Sequence, residues 1–301
     1  MTAPRVAILT PDPADRDFHS RWRDVLERTA APLRASDIIV EGRSWAEARD
    51  LGSFDLVLPL LVWGYHRAGP DWREATLRWE SEGLALRNVG SVLRWNADKL
   101  YLDRLSRGGA PVVPTLFVDR LDLESLDLAA SRFVTDQLIA KPQVSASAWQ
   151  TIRWTPGAPL DGGPTGPAMI QPYLASIESE GEISLIYLGG AFSHAIRKRP
   201  QPGDFRVQPE YDGIITAHVP SAHERAASEA ILACVEEDLL YARIDLVRGL
   251  NGEPMLMELE LVEPDLYLEH DPGGGAAFIE AVLRAASQAS RTREGRALDL
   301  T

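Results

Sequence analysis

The sequence of 301 residues has one cysteine, Cys234. A lone thiol closes no internal disulfide and, with no second thiol near it, builds no structural zinc cluster, so a reducing cytoplasm is the expected compartment. Within an alanine-rich helical stretch, Cys234 reads as a small packing residue rather than a nucleophile. Positive charge is also scarce. Against 44 Asp and Glu stand 31 Lys and Arg, a formal net charge of −13. Such a chain repels a polyanion at long range, which argues against nucleic acid as a partner while leaving room for a small anion in a basic pocket. Long apolar runs are missing too. The N-terminal MTAPRVAILTPDPADRD has four consecutive apolar residues, too few for a signal sequence or a membrane span, so neither a targeting segment nor a membrane partner is expected. What is present, 45% hydrophobic and 25% charged residues, is ordinary globular composition with length for two or three domains.

Residues 5–9 (RVAIL) and 54–61 (FDLVLPLL) read as buried strands on either side of a helical RWRDVLERTAAPL, the start of a βαβ pattern and of a small open parallel sheet. Such sheets take ligands beyond the carboxyl ends of their strands, which makes Trp63, Tyr65 and His66 a candidate substrate loop, with residues 10–20 beside it. Next, Asn96 reads as the N-cap of a helix that Gly108 and Gly109 stop. Lys99 then lies in the first turn, where a cation suits the helix dipole poorly and a nearby anionic ligand would account for it. A second block contains the strands QLIAKP, WQTIRW and AMIQPYL, with Lys141 near the end of the first and a small-residue loop, VSASA, after it. From residue 181 the pattern becomes antiparallel: GEISLIYL and AFSHAIRK flank Gly189-Gly190, a hairpin signal. His194 within it reads as a packed strand residue. Internal repeats are absent.

The most informative stretch is MLMELELVEP, residues 255–264, where two carboxylates share one face of an otherwise apolar strand. It is preceded by YARIDLVRG and Asn251-Gly252. A two-residue turn at Asn-Gly pairs residues whose numbers sum to 503, so Asp245 faces Glu258 and Arg243 faces Glu260. Like charges this close destabilise a sheet. Arg243 supplies one compensating charge, and a divalent cation would neutralise the rest. With oxygen donors alone, the ion is a hard one, Mg²⁺ or Mn²⁺, and magnesium held by a few carboxylates usually takes its other ligands from nucleotide phosphates and water. The strand therefore reads as half of an ATP site.

From about Arg94 to Pro264 the order of these pieces, NADKLYLDRL, LIAKP, IQPYLASIESEGEISLIYLGG, FSHAIRK, FRVQ, YARIDLV and MELELVEP, resembles the ATP-grasp ligases. The likeness is to the glutathione-synthetase-like branch, and within it to the cyclo-ligases of D-cycloserine biosynthesis and their relatives. The resemblance implies an α/β (α+β) chain in three parts: a Rossmann-like domain over 1–95, a central lid over 96–174, and a C-terminal domain with a mixed or antiparallel sheet and the metal site over 175–301. It implies ATP between the last two, with Lys99 and Lys141 on its phosphates, the backbone of Gln171, Tyr173 and Leu174 at the adenine, and Glu178 at the ribose. Arg197 and Arg206 would contact the γ-phosphate and the acyl phosphate, and Asp245, Glu258 and Glu260 would hold magnesium. Two features depart from the family pattern. Glu260 stands where many members have Asn, and the phosphate-covering loop, usually glycine-rich, is VSASAW, with Ser145 and Ser147 as candidate phosphate contacts.

The expected function is ATP-dependent carboxylate–amine ligation through an acyl phosphate, on an amino acid or similar small carboxylate, with ring closure within one molecule as one form of it. A nucleotide-binding module without turnover and a small-molecule kinase are the alternatives. Oligomeric state is not set by the sequence, and a homo-oligomer stays open.

Overall fold

The computed structural model describes residues 3–15, 18, 21–146, 148–201 and 213–298, with side chains described as far as residue 292. Two sequence candidates, Ser147 and Arg206, lie outside the described residues.

The chain opens with β1 (Arg5–Thr10), α1 (Arg21–Arg34), β2 (Ile39–Ser44), β3 (Leu56–Leu58) and α2 (Gly69–Ser81). The three strands form a parallel sheet in the order β2-β1-β3, as the βαβ pattern predicts. Helix α1 forms because Trp22, Val25, Leu26, Ala30 and Leu33 recur at helical spacing and turn one stripe onto this sheet. Edge strand β2 escapes the sequence pattern because its IVEGRS carries polar residues that stay half-exposed. Beyond the carboxyl end of β3, an aromatic stack holds residues 62–67. Tyr65 packs on Trp72 at 5.0 Å, and Trp72 meets Trp45 and Trp79 edge-on at 5.7 and 5.8 Å.

Two short helices follow, α3 (Gly90–Asn96) and α4 (Tyr101–Arg107), then β4 (Leu116–Val118), α5 (Leu123–Phe133), β5 (Leu138–Pro142), β6 (Ile152–Trp154) and β7 (Ala168–Pro172). These four strands make an antiparallel sheet in the order β4-β7-β5-β6, with Leu126 and Ala129 of α5 in its core. The last part holds α6 (Ser176–Ser179), β8 (Glu182–Leu188), β9 (Ala191–Arg199), β10 (Ile214–His218), α7 (Ala222–Leu232), β11 (Tyr241–Arg248), β12 (Pro254–Glu260) and α8 (Ala276–Leu298). Its strands form an antiparallel sheet in the order β10-β9-β8-β11-β12. Gly189-Gly190 joins β8 to β9 as the sequence predicts, both glycines at positive φ. Val92, Tyr101, Leu102 and Leu105 bury the apolar sides of α3 and α4 against Leu185, Ile244 and Leu259 of this sheet. Helix α8 instead returns to the first sheet, where Phe278 and Val282 share a core with Val6, Ile8, Leu33 and Leu58.

Asn96 is not the N-cap that the sequence suggests. It ends α3, and its amide spans the exit of β12, donating to Leu259 O at 2.8 Å and accepting from Leu261 N at 2.8 Å. No side chain caps α4; Asp98 shapes the turn ahead of it, accepting from Leu100 N at 2.9 Å. Beyond β12, Asn88 donates to Leu261 O at 2.9 Å and to Tyr241 O at 3.0 Å, while Tyr241 Oη donates to Val262 O at 3.0 Å. Tyr101 Oη accepts from Leu259 N at 2.9 Å. These buried side chains satisfy backbone groups that, on this edge of the sheet, have no further strand to pair with. Asn96→Leu leaves Leu259 O and Leu261 N without those bonds, and we expect it to lower stability by about 3 kcal/mol in a urea titration.

Candidate active site

Along β11 and β12 the register pairs Arg243 with Glu260 and Asp245 with Glu258, as the sequence predicts, but not through a two-residue turn. The chain reverses over five residues. Gly249 N donates to Glu253 O at 2.9 Å, and the turn-side pairs Val247↔Met255 and Arg248↔Pro254 are one residue out of the expected register. A bulge between Asp245 and Leu246 restores it by leaving Met257 as the extra residue on β12. Asn251 still shapes the turn, its side chain accepting from Glu253 N at 3.1 Å.

Strand alternation then gathers charge on one face of the sheet. Asp245 is 2% exposed and accepts from Ser184 Oγ at 2.5 Å, from Arg243 Nε at 3.0 Å and from Lys198 Nζ at 3.2 Å. Arg243 also pairs with Glu260, and Lys198 with Glu182. Glu258 takes a different cation, Lys99, at 3.1 Å. Lys99 is held at both ends, its backbone N donating to Gln143 O at 3.0 Å and its Nζ to Ser145 O at 2.8 Å. It thus ties the small-residue loop after β5 to the acidic strand. Lys141, on β5, reaches the same place from the central sheet, with its Nζ 3.8 Å from Met257 Sδ.

The electrostatics follow from burial of this network. Burial opposes ionisation of Asp245, yet Arg243 and Lys198 outweigh it and hold the carboxyl well below the usual range. Lys99 and Lys141 do the same for Glu258. Glu260 goes the other way. Burial, reinforced by Glu258 and Asp245 and only partly opposed by Arg243, pushes it up to about 8. Burial likewise lowers Lys141.

Other predicted residues divide in their placement. Ser145 is buried beside Lys99, its hydroxyl donating to Pro142 O at 3.3 Å. Leu174 packs with Val113 and Val247 in a small apolar cluster that Met255 and Met257 border, between the central and C-terminal sheets. Tyr173 N donates to Gln137 O at 2.8 Å, and the Tyr173 hydroxyl donates to Glu178. Glu178 is exposed and pairs with Arg153 at 3.4 Å. Gln171 is buried within β7, with its side chain donating to Thr115 Oγ1 at 3.0 Å.

Arg197 is a correction to the sequence reading. On β9 it alternates with Lys198, which faces Asp245, so Arg197 points to the opposite face, where its guanidinium donates to Glu180 O at 2.6 Å. Lys198 is the cation this strand presents to the acids. It was overlooked because the IRKR run offers three basic residues and its sequence alone does not fix the parity of the strand. His194 is a packed strand residue, as expected: buried, with Nε2 2.9 Å from Leu266 O. Ahead of the site, residues from the 10–20 segment and the 63–67 loop do meet. Asp12, Asp15, Trp63, Gly64 and Arg67 line a cavity of about 500 Å³ at the carboxyl ends of the first sheet.

Two sheets facing each other across a lysine-bearing loop and a strand of paired acids define a class of protein: the chain belongs to the ATP-grasp ligases, enzymes that form carbon–nitrogen bonds with ATP. It is similar to the cycloserine biosynthesis protein DcsG of Streptomyces lavendulae, 31% identical over 221 residues that cover 64% of this chain and 70% of that protein. Among solved structures, D-cycloserine synthetase DcsG matches at TM-score 0.77 and 24% identity, over 95% of this chain and 99% of that one. A D-alanine–D-alanine ligase from Bacillus anthracis matches at TM-score 0.66 and 16% identity, over 98% and 100%. ATP-grasp ligase PsnB, in complex with a precursor variant, Mg and ADP, matches at 0.60 and 16%, over 95% and 99%. No protein-family model matches the sequence. Among the described residues, no helix is long and apolar enough to cross a membrane.

Proposed function

We propose that the enzyme activates the carboxylate of an amino-acid-like substrate as an acyl phosphate and couples it to an amine. The observation that carries this reading is the meeting of Lys99, Lys141 and the Glu258–Glu260 pair between the central and C-terminal sheets. In the first step a carboxylate oxygen attacks the γ-phosphorus of ATP, the bond to the bridging oxygen breaks, and ADP leaves. In the second the amine attacks the acyl carbon and inorganic phosphate leaves with the electron pair of the broken C–O bond. An amine on the same molecule closes a ring; one on a second molecule gives a linear amide.

The protein's part is positioning and charge. Lys99 and Lys141 hold the triphosphate, the apolar surface of Leu174, Val113 and Met257 takes the adenine, and the backbone at Gln171, Tyr173 and Leu174 lies along its edge. Glu178 is the ribose partner, released from Arg153. Arg243 and Lys198 set positive charge where the transferred phosphoryl group and the acyl phosphate develop theirs, which is the main contribution a protein makes to phosphoryl transfer. Ser145 keeps the loop over the phosphates small and polar.

Magnesium fits this donor set. The donors that Asp245, Glu258 and Glu260 offer around the site are carboxylate oxygens, the ligand a hard cation takes. Among the described residues no three His, Cys, Asp or Glu side chains stand gathered as a ready metal cage. An ion that takes one or two carboxylates and completes its shell with phosphate oxygens and water needs none. Glu258 and Glu260 would hold it, with Asp245 at their flank, and it would neutralise charge on the transferring phosphoryl group.

The test is product analysis. With ATP, magnesium and a panel of D- and L-α-amino acids, the reading expects ADP and phosphate in equal amounts, and a hydroxamate when hydroxylamine replaces the amine. Release of AMP and pyrophosphate would overturn the acyl-phosphate route, and a phosphorylated acid as the stable product would make the protein a kinase.

A further inference from the structure

The chain has three lysines among its 31 Lys and Arg residues, and all three, Lys99, Lys141 and Lys198, come to the site between the central and C-terminal sheets. The others in that count are all arginine. Arginine keeps its charge in any protein setting, whereas a lysine gives up its proton readily once burial disfavours the charged form. Side-chain amine chemistry in this protein is therefore confined to one place.

The three amines differ in what holds them. Lys99 is 7% exposed, its Nζ 3.1 Å from Glu258 and donating to Ser145 O at 2.8 Å. Lys198 is 4% exposed and lies between Glu182 and Asp245, the latter at 3.2 Å. Lys141 is placed otherwise. It is half-buried on β5, and among the described residues its Nζ meets no oxygen atom, only the Met257 thioether at 3.8 Å, a weak acceptor. Met257 is the extra residue of the β12 bulge and borders the apolar cluster of Val113, Leu174 and Val247. An ammonium in this position has lost water without gaining a carboxylate or a carbonyl, and burial outweighs the pull of Glu258 to lower its pKa. A lysine desolvated by apolar surroundings beside another cation is the kind that serves as a nucleophile.

We infer that Lys141 is an acylation site: in the nucleotide-free enzyme its Nζ attacks small acyl phosphates, held beside it by the cations gathered for a phosphate. The nitrogen bonds to the acyl carbon, the C–O bond to phosphate breaks, and phosphate leaves with that electron pair and takes up the proton the amine gives off. The product is a neutral amide. It no longer brings a charge to the triphosphate, so acylation closes the nucleotide site, and bound nucleotide in turn shields the amine. The phosphate group selects the donor, which sets acyl phosphates apart from acyl thioesters that carry no phosphate. This goes beyond the ligase reading and rests on its phosphate site, not on turnover.

The experiment incubates the native enzyme with acetyl phosphate, or with a phosphate-free acetyl thioester, with and without ATP and magnesium. Modified positions are mapped by peptide mass spectrometry, with the α-amine of the chain as internal reference. Acetyl phosphate should acylate Lys141 at least about tenfold faster than Lys99 or Lys198, whose amines are held as ammonium by carboxylates. Saturating ATP with magnesium should suppress labelling of Lys141 and leave that of the α-amine unchanged. The thioester should show no preference for Lys141 over the α-amine. Loss of nucleotide binding, followed by calorimetry, should track the fraction modified at Lys141. Equal rates at the three lysines overturn the inference, as does labelling of Lys141 that ATP does not slow or that the thioester matches. Should the native enzyme bind no nucleotide, the ligase reading fails separately. Protection is then measured with inorganic phosphate, and its failure to slow labelling of Lys141 overturns the acylation site as well.

Discussion

Glu258→Gln is expected to lower ligase turnover by roughly 10³-fold while leaving the protein folded. The residue is shared by two parts of the site. It anchors Lys99 at 3.1 Å and stands beside Glu260 as the proposed ligand of the metal. An isosteric amide keeps the shape and can still accept a hydrogen bond from Lys99, so its melting temperature should stay within about 4 °C of the native protein. It removes the charge, however, on which both cations depend. Binding energy from the adenine and the two lysines remains, so KM for ATP should move far less than kcat, the pattern of an interaction that matters in the transition state. Steady-state ADP release and a single-turnover measurement check this, and a kcat within tenfold of native would remove Glu258 from the reaction.

Asp245→Ala should act on stability even more than on rate. Its carboxylate is the common partner of Arg243 and Lys198, both nearly inaccessible to solvent. Removing one member of such a buried set leaves the others uncompensated, at roughly 3–5 kcal/mol. A urea midpoint shifted by that amount at unchanged m value is the expected readout. The pH dependence has a definite sign. A carboxyl whose pKa is depressed by folding contributes stability in full above its unfolded value of about 3.9, and loses that contribution as pH falls through the lower folded value. The gap between native protein and Asp245→Ala should therefore be level between pH 5 and 8 and narrow in acid. A gap that widens below pH 4 would contradict the assignment.

Much of this site could be read from the chain because strands expose their parity. Glu258 and Glu260 share a face whatever the turn does, and Lys99 and Lys141 stand out as cations in apolar surroundings. The facing of Asp245 and Glu258 was also legible, though for an incomplete reason, since the five-residue turn and the Met257 bulge cancel each other's shift. Parity failed where basic residues run together, and Arg197 was taken for Lys198. Glu182 and Ser184 went unremarked because their importance lies in what faces them from a neighbouring strand. Asn88 and Asn96 are invisible for a related reason. An asparagine that closes backbone groups 163 residues away looks, in sequence, like any helix cap.

The return of α8 to the first sheet bears on how the chain is made. Phe278, Val282 and Ala286 fill the core that Val6, Ile8 and Leu58 begin, so these strands are made more than 200 residues before the helix that covers them. Domains generally fold as units during synthesis, N-terminal first. Here that unit stays open on one side until α8 has been made, and a product truncated before residue 276 would carry that bare apolar side into solution, a ready surface for chaperones and aggregation.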